Sequence, residues 1–152
     1  MPDPLDVSGV VFEGEDDPEA RLPVFDTCNE IRRKIRAFLA KNGITQAAFL
    51  RDISTCNPSG KLINPGSFHI FMKKNNPLAL DGNSSSVFYA AYVFFEKLRI
   101  RDGKPMTQHR VAMEDIWKGQ GGVSLVPIRT QSFVVSASQV GNYCMDQYGR
   151  IF

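Results

Sequence analysis

The segment "SSSVFYAAYVFFEKLRIRDGK", residues 84–104, constrains the fold more than any other stretch of the chain. Val87, Ala91, Phe94, Phe95 and Leu98 recur at helical spacing, and Phe88 and Tyr92 widen that stripe. A helix this apolar around its circumference cannot rest on a single neighbour. The pattern predicts a central helix packed by several others.

The flanking segments supply those neighbours. In "DTCNEIRRKIRAFLAKNG", Ile31, Ile35, Phe38 and Leu39 form a stripe of period 3.6, with Asp26 or Thr27 placed to cap the start and Gly43 the end. "ITQAAFLRDIS" predicts a second helix capped by Thr45, with Phe49, Leu50 and Ile53 inward. "TCNPSGKLINPG" reads as loop because of its prolines and glycines. Ser67 then caps a short third helix with Phe68, Phe71 and Met72 inward, and "PLALDGN" ends it. A fifth helix over "MTQHRVAMEDIWKG" places His109, Ala112, Met113, Ile116 and Trp117 on one side, and "GQGG" reads as a flexible stop. Residues 119–152 are rich in Val, Ile, Phe and Tyr alternating with Ser, which predicts an extended or short β arm, with Pro127 arguing against a central strand.

The expected fold class is therefore mainly α. It is a single trihelical, helix-turn-helix-like domain of about five helices over residues 26–118. An acidic, partly disordered leader precedes it over residues 1–25, and the extended arm follows. At 152 residues the chain is long enough for one core. No run has the length of a membrane span, so no membrane association is expected. The three cysteines, Cys28, Cys56 and Cys144, form no CxxC or Cys/His cluster. Neither a disulfide framework nor a zinc site is indicated.

Charge is distributed unevenly. Residues 1–30 carry nine acids and one base, Arg21, while residues 31–152 carry seventeen bases and seven acids. The leader either solubilises the chain or competes with a polyanion for a basic face. The candidate polyanion contacts are Arg32, Arg33 and Arg36 on the first helix, Lys73 and Lys74 on the third, and Lys97, Arg99, Arg101 and Lys104 after the central one. Asn64, Ser67 and His69 are the polar groups placed to reach base edges. Such cations equally keep any soluble helix wet on its outer side.

"TQAAFLRDI" resembles the second helix of the Cro and phage-repressor class, in which Gln46 would begin the helix and Phe49 would follow three positions on. That class has a small residue where Leu50 stands, a glycine where Ser54 stands, and a turn of three or four residues. The connection from Ser54 to Gly66 is longer, so the resemblance implies a trihelical relative with an insertion. Residues 28–101 also resemble a largely uncharacterised fungal helical domain family through "CNEIRRKIRAFL", "FLRDI", "FM" at Phe71–Met72 and "GNSSSVFYAAYVFF" from Gly82. That resemblance implies a helical, nucleic-acid-binding domain with no catalytic residues.

Enzymatic parts are missing from the sequence. It has two histidines, no GxSxG, no HExxH, and a "GQGG" without the lysine of a phosphate loop. Cys28 near a helix start beside arginines is read as structural. The expectation is a non-enzymatic, nuclear, intracellular regulator of transcription that needs no cofactor and binds double-stranded DNA. The alternative is a helical protein–protein adaptor or homodimer that uses residues 123–152, with "QSFVVSAS" adding a strand to a neighbour's edge.

Overall fold

The computed structural model describes residues 5–12, 22–58, 61–73, 84–123 and 125. Five α-helices carry the fold: α1 Cys28–Asn42, α2 Gln46–Ile53, α3 Pro65–Lys73, α4 Ser86–Arg101 and α5 Gln108–Trp117. Short 3₁₀ turns, Ser54–Cys56 and Lys118–Gln120, extend α2 and α5. No strand occurs among the described residues. The chain is a mainly helical single domain. Most of the arm, residues 126–152, and the acidic run 13–21 lie outside the described residues, as do "PLALDGN" and Lys74.

The helix boundaries follow from local chemistry. Thr27 Oγ1 accepts the Glu30 amide at 3.2 Å, and Gly43 closes α1 in the left-handed region at φ 61°. Thr45 and Thr107 cap α2 and α5 through the amides of Ala48 and Arg110, and Ser85 caps α4 through that of Val87. The third helix starts three residues earlier than its sequence suggests. Pro65 takes the first helical position, Asn64 Oδ1 accepts the Gly66 amide at 2.6 Å, and the Asn64 carbonyl accepts the Phe68 amide. Asn64 is thus the capping residue, and Ser67 lies exposed inside the first turn.

α4 is the axle of the core. Every residue from Val87 to Phe94 is buried. Phe94 meets Phe38 of α1 at 5.6 Å and Phe49 of α2 at 5.8 Å between ring centroids, both edge-on. Phe88 meets Phe71 of α3 at 6.4 Å, and Phe49 meets Phe68 of α3 at 6.3 Å. One aromatic layer therefore joins four helices, in the geometry aromatic pairs prefer. The connection before α3 is fastened by Ser54, whose Oγ donates to the Leu50 carbonyl and accepts the amide of buried Ile63.

The flanking segments join this core. In "VSGVVF", Val7 is buried and Phe12 packs on its edge. "GQGG" is a docking point rather than a flexible stop. Gly122, at φ 110°, brings the chain so close to the start of α1 that an added Cβ would stand 2.6 Å from the Val24 nitrogen. The next residue, Val123, then donates its amide to the Val24 carbonyl at 2.7 Å. Glycine alone fits both the backbone angle and the approach. Gly122→Ala is expected to destabilise the fold by about 2 kcal/mol or more, read as a lower urea midpoint. An unchanged midpoint would show the contact to be dispensable.

Candidate functional site: an exposed helix beside buried arginine anchors

α3 buries Phe68 and Phe71 and turns its other side outward. Gly66, Ile70 and Lys73, at i, i+4 and i+7, form the outward stripe, and Ser67 and His69 flank it. All five are exposed, and Ile70 keeps 57% of its surface accessible.

The C-terminal end of α3 is held from α1. Arg32 is 2% exposed. Its Nε donates to the Phe71 carbonyl at 2.7 Å, its Nη1 donates to Asn29 Oδ1 at 2.8 Å, and its guanidinium stacks 4.6 Å from the Phe71 ring centroid. One turn on, Arg36 Nη2 donates to the Met72 carbonyl at 2.9 Å. The last carbonyls of a helix carry partial negative charge and lack intrahelical donors, so two arginines satisfy and stabilise this end. Arg32 is therefore corrected from a phosphate contact to an internal anchor. Its burial on the polar side of the α1 stripe has no counterpart in the periodicity.

The group after α4 is also redirected. Lys97 is buried, with Nζ 5.9 Å from the Phe12 ring centroid, and burial holds its ammonium below the ordinary value. Arg99 Nη2 donates to Glu96 Oε2 and Nη1 to the Lys104 carbonyl. Arg101 Nη1 donates to the Asp6 carbonyl and Nε to Asp102. These side chains hold the 5–12 segment and the α4 end, and Lys97 is corrected from surface contact to packing residue. Lys104 is exposed.

Most of the exposed cations among the described residues fall within residues 33–73. Residues 31–73 hold eight bases and one acid, Asp52. Arg33, Arg36, Lys41, Arg51, Lys61 and Lys73 are exposed among them. Arg33 forms a surface ion pair with Glu30. Arg51 and Lys61 are additions to the predicted set, detectable in the sequence through the scarcity of acids rather than through any motif. Asn64 serves the α3 cap, while Ser67, His69 and Lys73 stand on the exposed helix.

A polar network joins α5 to the start of α1. Asp26, buried beside α1, accepts the Thr27 amide at 2.8 Å and Lys34 Nζ at 3.0 Å, and His109 Nε2 lies 3.0 Å away. His109, read as a core residue, is half-buried and joins α5 to this carboxylate. Arg110, also buried, meets Glu96 at 3.5 Å and Glu114 at 3.1 Å, and it stacks on Phe25 at 4.8 Å. Burial and then the Glu96 charge push the Tyr92 phenol up. Among the described residues no group of three His, Cys, Asp or Glu could hold a metal, and no helix is long and apolar enough to cross a membrane.

These features define a small helical domain that displays one short helix with basic surroundings. Residues 22–105, more than half of the chain, match a family described as a domain of unknown function (DUF7726), and the chain belongs to it. The match takes in α1 to α4 and the Arg32 anchor. No curated protein and no solved structure matches the chain.

Two outcomes test the anchors. Arg32→Ala should cost about 2–4 kcal/mol in chemical denaturation, because it strips a buried carbonyl of its donor and a ring of its stacking partner, whereas Arg36→Ala should cost less than about 1 kcal/mol. Equal costs would refute the distinction. Glu30 supplies a pH signature. Burial pushes its carboxyl up, but the Arg33 hydrogen bond and charge, with His109 and Lys34, bring it below the ordinary 4.5. A depressed folded value stabilises above the ordinary pKa and ceases to do so as pH falls through the folded one. Glu30→Gln should therefore lose less than about 1 kcal/mol at pH 7, and thermal melts at strongly acid pH should show no difference from wild type.

Proposed function

We propose that the protein binds double-stranded DNA without catalysing a reaction. α3 enters the major groove, and exposed cations of α1, α2 and the 61–64 connection meet phosphates. The observation that carries this reading is the outward stripe of α3 on a stretch with eight bases and a single acid. A polyanion is drawn to such a stretch, and a short exposed helix with Ser67, His69 and Lys73 has the size and chemistry of a groove reader. The resemblance of "TQAAFLRDI" to the repressor-class second helix, and of residues 28–101 to a fungal helical family, supports the same assignment. So does the chain order, an α2 that packs through Phe49 on Phe68 of the helix after it. Nuclear regulation of transcription is the role that follows.

The test is fluorescence anisotropy on a labelled duplex of about 24 base pairs, long enough for two turns of the groove. Affinity should fall roughly a hundredfold between 50 and 200 mM salt if about four phosphates are contacted. The double change Lys73→Glu and Arg51→Glu, both at exposed positions, should weaken binding at least about tenfold without moving the thermal midpoint. Absence of binding at 50 mM salt would end the reading.

One observation favours a second reading. Leu62, just before α3, and Ile70, on it, expose 69% and 57% of their surfaces. An adaptor that docks a protein through α3 would show salt-tolerant association, which the same titration separates from DNA binding. The homodimer proposed through residues 123–152 rests almost entirely on residues outside those described. Val123 itself is engaged with Val24 inside the chain.

A further inference from the structure

On the duplex-DNA reading above, we infer that Ile70 is a specificity-determining residue that packs on the 5-methyl group of thymine in the major groove.

Ile70 is unlike its neighbours on α3. Phe68 and Phe71 are buried in the aromatic layer, at 5% and 1% exposure, while Ile70 stands at the middle of the outward stripe. One turn before it is Gly66, which has no side chain to hold the helix off a surface, and one turn after it is Lys73. His69 and Ser67 border it on either side. A groove floor offers donors and acceptors to these polar neighbours, and its one apolar group is the thymine methyl. A branched apolar side chain at the centre of a polar stripe is matched to that group. Neither a phosphate nor a cytosine edge offers it a methyl group to pack on. The exposed cations of α1 to α3 favour a polyanion over an apolar protein surface as the body that covers this helix.

The full chain is titrated with an alternating adenine–thymine duplex and with the same duplex carrying deoxyuridine for every thymidine. A guanine–cytosine duplex is compared with and without 5-methylcytosine, which restores a methyl at the same place in the groove. Wild-type protein should bind the methylated member of each pair roughly three- to fivefold tighter for each methyl group contacted. Ile70→Ala, an exposed position, should bind both members of each pair equally while keeping the wild-type thermal midpoint. Equal wild-type affinities within each pair, or a preference that survives in Ile70→Ala, would overturn the assignment of Ile70 while leaving DNA binding in place. Failure to bind any of the four duplexes at 50 mM salt would remove the underlying reading and this assignment together.

Discussion

The position of α3 depends on a buried guanidinium. A charged group withdrawn from water is costly unless donors, acceptors and aromatic faces replace the solvent. Arg32, which can only donate, finds two acceptors, the Phe71 carbonyl and Asn29 Oδ1, and the face of the Phe71 ring. Because its Nε–H is met by the last turn of α3, the arginine fixes the helix end in both distance and rotation. The rotation decides which residues α3 turns outward. Phe71 contributes its carbonyl to this arginine and its ring to both Arg32 and Phe88, so anchor and core meet at one residue.

Much of this architecture was legible in the sequence because periodicity and capping act locally. The α4 stripe, the Thr27 and Thr45 caps and the Gly43 stop are each determined within a few residues, and all are present. The start of α3 was misplaced because Asn64, Pro65 and Ser67 all carry start signals, and only the Asn64 hydrogen bonds decide among them. The candidate site was less legible. Arg32 and Arg33 are adjacent and chemically identical, yet one is sealed in the core and the other paired at the surface. Which arginine faces α3 depends on the packing of helices distant in sequence, and no local rule supplies that. Lys97 shows the same limit, since Phe12 lies far ahead of it in the chain.

Two parts of the domain treat charge in different ways. Around α5, Asp26 meets Lys34 and His109, and Arg110 meets Glu96 and Glu114, so these carboxylates have polar partners across three segments. Along α1 to α3, Glu30 pairs with Arg33 and Asp26 with Lys34, while Lys41, Arg51, Lys61 and Lys73 are exposed in a stretch whose one acid is Asp52. A modest net charge of +2 for the chain thus coexists with an uneven distribution of charge along the sequence. Arg101 and Lys97 stand between these regimes, since both hold down the segment that leads toward the acidic run.

The bond from Val123 to Val24 spans nearly the whole helical region and brings its entrance and exit side by side. A ring closed in this way resists peeling from either terminus, because freeing α5 also loosens the strand of backbone that feeds α1. Amide hydrogens at Val123 and in the first turn of α1 should therefore become accessible in the same opening event, although about a hundred residues of chain lie between them. Any module fused after residue 125 would leave the domain from a point adjacent to the one where α1 begins, and so on a short tether to that end of the bundle.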